Sequence, residues 1–102
     1  MNVTLLKSAA IALEAQLHLH APLDPEAIRL WSDLKPLLTL AKAEQISQPL
    51  EVREVPGRYL FTERNLQQYG ELEEAYARFA IEVTGGESPA LRMFRESSAS
   101  RP

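Results

Sequence analysis

The chain has 102 residues, enough for one domain with a single thin core, and its apolar and charged contents are those of a folded globular protein rather than a disordered one. With no cysteine it has no disulfide, no thiolate nucleophile and no cysteine-ligated zinc. Eleven basic against fourteen acidic residues, a net charge of −3, is the wrong balance for a nucleic-acid-binding face.

The first segment, Val3 to about His20, reads as a helix. Val3, Leu6, Ala10, Leu13 and Leu17 recur at spacings of three and four, and Ala9, Ala12 and Ala15 add helix propensity while leaving one flank thin. Pro22 ends it, because a proline disfavours helical backbone in the residue before it. A signal peptide is not expected, since Glu14 interrupts the apolar stretch, and no run of residues is long and apolar enough to span a bilayer. A reducing, cytoplasmic location is the expectation that goes with the missing cysteines.

Asp24-Pro25-Glu26 is a helix start: an N-cap, a proline at the first helical position and an acid at the positive end of the helix dipole. The second helix is expected to run to Ile46 or Ser47, with Ala27, Trp31, Leu34, Leu38 and Ala41 as its apolar stripe. Pro36 should kink it near residues 32–35 or divide it, with Ser32 or Asp33 capping the second piece. From Leu50 to Thr62 the texture changes. Val52, Val55, Tyr59 and Phe61 favour strands, and Pro56-Gly57 suits a type II turn. A β-hairpin of 51–55 and 58–61, or an extended crossover, is expected over about 50–62.

A third long helix is expected from Glu63 to Thr84, capped by Thr62 and stopped by Gly85-Gly86. Tyr69, Leu72, Tyr76, Phe79 and Val83 form one apolar stripe on it. Five of the fourteen acids and only two bases lie between residues 62 and 84, so the imbalance of charge is concentrated there. Ser88-Pro89 then starts a short fourth helix with Ala90, Leu91, Met93 and Phe94 on its apolar side. Residues 1–96 form the helical domain and 97–102 a disordered tail. The fold class is therefore mostly α, a small antiparallel bundle of three longer helices and a short C-terminal one.

Chemistry-bearing constellations are sparse. His18 and His20 stand two apart, on different sides of a helix, so they do not chelate one metal. Serine-nucleophile, phosphate-loop and metal-helix motifs are absent, and no cofactor, metal or catalytic set is expected. Arg92, Arg95 and Arg101 are the one basic cluster. Glu71, Glu74, Arg78 and Glu82 sit at near-helical spacing and read as a solvated, salt-bridged face or as a docking face for a basic protein. The function expected is non-enzymatic protein binding, of the adaptor, inhibitor, immunity or chaperone type, through that acidic helix and exposed apolar surface. A homodimer is expected from the surplus of apolar residues on the first two helices. A small DNA-binding regulator using Arg92–Arg101, and a ligand-binding bundle using Tyr69 and Tyr76, are the alternatives.

Overall fold

The computed structural model describes residues 2–86. The expected helix after Ser88, the basic cluster Arg92–Arg101 and the boundary at 96 lie outside the described residues.

Helix α1, Val3–His20, begins where Asn2 Oδ1 accepts the Leu5 amide at 3.0 Å. It buries Leu6, Ala9, Ala10, Leu13 and Leu17 and ends at the Ala21-Pro22 turn. Helix α2, Pro25–Lys42, starts at the expected cap, with the Glu26 amide donating to Asp24 Oδ1 at 2.9 Å. It passes Pro36 as one helix rather than two. Ser32, whose carbonyl loses the amide donor that Pro36 lacks, is exposed to solvent, while burial of Leu34, Leu38 and Ala41 holds both halves to one face. The helix stops at Lys42, short of Ile46, because Glu44 takes a left-handed backbone with φ 57°.

Over 50–62 the hairpin expected from the strand-forming residues is replaced by helical turns. A 3₁₀ turn at Val52–Glu54 is followed by a short helix, α3, at Arg58–Thr62, and no strand occurs among the described residues. Val55, Leu60 and Phe61 are buried in the common core, and that burial decides against a local β propensity that has no neighbouring strand to satisfy it. Gly57 does take the φ 95°, ψ −5° of the second turn position, but the turn leads into α3 instead of a returning strand.

The long helix expected from Glu63 is likewise shorter. Asn65 adopts φ 65°, a 3₁₀ turn follows at Leu66–Gln68, and α4 occupies Gly70–Val83. Thr62 is the last residue of α3 rather than a cap of α4. The C-terminal stop is as read. The Gly86 amide donates to Ile81 O at 2.8 Å and the Gly85 amide to Glu82 O at 3.3 Å, the paired bonds of a Schellman motif, with both glycines at positive φ.

Helix α1 packs against both α2 and α4. The buried residues form one cluster that takes Leu72, Tyr76, Phe79 and Val83 from α4 and Leu30, Leu34 and Leu38 from α2. Of the residues on the three apolar stripes, Val3, Trp31 and Tyr69 are only partly buried, and Trp31 and Tyr69 pack against the cluster from its edge. The Leu50 amide donates to Val83 O at 2.9 Å and ties the crossover segment to the end of α4.

Candidate functional site

The crossover segment does not lie flat on α4. Between them runs a groove of about 640 Å³. Its α4 bank carries Glu73, Glu74, Ala77, Ala80, Ile81 and Thr84, which recur at spacings of three and four and so share a helix face. Its other bank carries Val52, Val55, Arg58, Phe61 and Thr62. Ala77 and Ala80 leave room where larger residues would meet the opposite bank. Val52, Arg58, Thr62, Glu73, Glu74 and Ala77 are all exposed, so the groove opens to solvent.

One aromatic residue shapes its floor. Tyr76 is buried and donates its hydroxyl to Pro56 O at 2.8 Å, which pins the crossover to α4. Its ring lies 4.7 Å from that of Phe61. Burial pushes the Tyr76 phenol above its ordinary pKa, and the Arg58 guanidinium opposes that shift. Gly57, outside the groove lining, lets the crossover close on α2: a Cβ there would overlap Leu30 Cδ1, and its positive φ is one that glycine adopts without strain. The lining carries two carboxylates against one guanidinium. An apolar floor with a net negative rim suits an apolar ligand that carries positive charge.

Of the four residues singled out in the sequence, three are exposed and one is buried. Glu74 lines the groove; Glu71, Arg78 and Glu82 do not. Glu71, Glu74 and Arg78 are exposed, whereas Glu82 is only 5% exposed, its carboxylate lying beside Gly86. The helix wheel alone leaves Glu82 on the surface, whereas the packed structure buries it. Glu73, rather than Glu82, joins Glu74 on the rim.

The aromatic residues also separate. Tyr69 is half-buried and donates its hydroxyl to Asp24 Oδ2 at 2.9 Å, and the hydrogen bond to that carboxylate raises its pKa. Asp24 therefore serves both the start of α2 and the approach to α4. His20 stacks on Tyr69 at 4.2 Å, while His18 packs on Trp31 at 4.9 Å, so the two histidines go to different neighbours. Among the described residues no three histidine or carboxylate side chains gather as a metal site, and no helix is long and apolar enough to cross a membrane.

The groove was not read from the sequence. Its one local signal is the run of small residues, Gly70, Ala77 and Ala80, beside the aromatic stripe of α4. No protein-family model, curated protein or solved structure matches the chain.

Proposed function

We propose that the protein is a non-enzymatic binding module that takes an amphipathic, basic segment of another protein in the groove between α4 and the crossover. The observation that carries this reading is the combination of an open apolar trough with Glu73 and Glu74 on its rim. A helix or short extended segment would place apolar anchors against Phe61, Ala77, Ala80 and Ile81 and a lysine or arginine beside the two glutamates. Buried apolar area supplies affinity, and the glutamates supply orientation and a faster encounter. Adaptor, inhibitor, immunity and chaperone roles all use such a surface. The cysteine-free composition suits a reducing, cytoplasmic setting. A homodimer would carry two such grooves.

A small-molecule reading has one observation in its favour, since the groove volume falls in the range of about 300–1,000 Å³ usual for ligand pockets. Convergent polar groups are few, however, and the Tyr76 hydroxyl is already committed to Pro56 O.

The test is capture of partners from host lysate by the full chain, compared with Ala77→Lys and with Glu73→Lys/Glu74→Lys. All three positions are exposed, so helical circular dichroism should be unchanged. A stoichiometric protein captured by the native chain, loosened by salt and lost with both variants, is the expected result. Equal capture by all three would remove the groove from the hypothesis.

A further inference from the structure

The chain leaves the described residues at one end of the groove. Ile81 and Thr84 line that end, and the Gly86 amide donates to Ile81 O at 2.8 Å. Glu74, on the rim, stands ten residues before Thr84, about 15 Å back along the helix axis, and Glu73 lies beside it. Beyond Gly86 follow residues 87–102. Between positions 88 and 95 they carry the apolar Ala90, Leu91, Met93 and Phe94, the two bases Arg92 and Arg95, and no acid. The chemistry that the groove suits, apolar anchors with positive charge, is thus written into the chain directly after it.

We propose, resting on the reading of the groove as a seat for a basic amphipathic segment, that residues 88–95 of the same chain occupy it in cis and hold it closed until a segment of another protein displaces them. Reach allows this in either regular conformation. From Gly86 to Arg95 is nine residues, about 14 Å as a helix and about 30 Å extended. Run back along α4 as a helix, the segment brings Met93 level with Ala77 and Arg95 level with Glu74 to within a residue. Arg92 and Arg95 are three apart and share a face, which meets the glutamate rim. Leu91 and Phe94, also three apart, form the adjacent face, and Ala77 and Ala80 leave it room beside Phe61. Charge agrees with shape: Glu73 and Glu74 against Arg58 leave the lining negative, while the two arginines make residues 88–95 positive.

The tether supplies the affinity that so short a segment lacks. It holds the segment near the groove at an effective concentration on the order of 1 mM. A segment that would bind with a Kd of about 1 mM as a free peptide is then seated about half the time. An outside partner meets an open groove only in the remaining fraction, so its apparent Kd rises about 2-fold, and further as seating tightens. The same contact between two copies at about 1 μM protein would lack that advantage, which favours the cis arrangement.

Cysteine pairs in the full chain, which has no cysteine of its own, test this. With Ala77→Cys/Met93→Cys, the equilibrium fraction of intramolecular disulfide in a buffer of reduced and oxidised glutathione reads how closely the segment is held to the groove. Closure should exceed that of Ser8→Cys/Met93→Cys by about 10-fold or more, since Ser8 is exposed on α1 and lines no part of the groove. Adding Arg92→Glu/Arg95→Glu should lower closure about 3-fold or more, Glu73→Lys/Glu74→Lys should do the same, and the two reversals together should restore it, with helical circular dichroism unchanged throughout. Equal closure at Ser8 and Ala77, closure indifferent to either reversal, or disulfide-linked dimers in place of the closed monomer at about 1 μM protein overturns the inference. Capture from host lysate keeps its fate separate from that of the groove reading. The Arg92→Glu/Arg95→Glu chain should capture more partner than the native chain, and equal capture by the two would overturn the occlusion. Capture together with failed closure removes the cis occupant alone, whereas closure without any captured partner supports that occupant and removes the outside one.

Discussion

Gly57→Ala is the substitution that most sharply probes how the crossover is held. The residue sits at φ 95°, and its missing side chain is what admits Leu30, which is fully buried in α2. Two penalties add. A left-handed backbone costs an alanine about 1–2 kcal/mol. Overfilling the contact with Leu30 costs about 1–3 kcal/mol more, because a packed core yields only by shifting rotamers or backbone. The sum, about 2–5 kcal/mol, is a large share of the roughly 5–15 kcal/mol that stabilises a domain. Thermal unfolding followed by circular dichroism should show Tm lower by roughly 10–30 °C. Leu30→Val separates the two penalties. It removes the offending Cδ1 at a cost of about 1 kcal/mol by analogy with other single-methyl deletions. On that background Gly57→Ala should cost only the backbone part, about 1–2 kcal/mol, leaving a coupling of about 1–3 kcal/mol between the sites. A cost for Gly57→Ala below about 0.5 kcal/mol, or the same cost on both backgrounds, would refute the account.

Pro36→Ala should stabilise the protein. The position is exposed and inside α2, where alanine is favoured over proline by about 3 kcal/mol, less up to about 1 kcal/mol returned by the looser unfolded chain. A rise of about 2–3 kcal/mol in urea unfolding is expected, and no rise would show that the helix pays nothing for the proline. Tyr76→Phe should cost about 1–2 kcal/mol by leaving Pro56 O without its donor, with the loss read from the same urea curves. Stability should also fall at alkaline pH. Tyr69 and Tyr76 both have folded pKa values raised above the ordinary 10.0, by the Asp24 hydrogen bond and by burial respectively. The folded state then holds its protons more tightly, so their contribution is complete below pH 10 and is lost as pH rises through the folded values. The double variant Tyr69→Phe/Tyr76→Phe should flatten that alkaline limb, and an unchanged limb would assign it to other groups.

Local sequence chemistry was enough for the parts of the fold whose causes are local. Asp24-Pro25 starts α2 because a carboxylate cap and a proline without an N–H act within three residues. Gly85-Gly86 ends α4 because only those φ values close the terminal bonds cheaply. The period of Leu72, Tyr76, Phe79 and Val83 marks a buried face wherever its helix sits. The region from 50 to 70 was decided by tertiary structure. Val52, Val55 and Phe61 favour strands in isolation, but α1, α2 and α4 already enclose a core that takes Val55, Leu60, Phe61 and Leu66 one side at a time, and short helical turns present them that way. The groove follows from that outcome, since its two banks are more than ten residues apart in the chain and neither specifies the other. Glu82 shows the same division: periodicity assigns its angle on the helix, but which neighbours cover that angle depends on where the rest of the chain has packed.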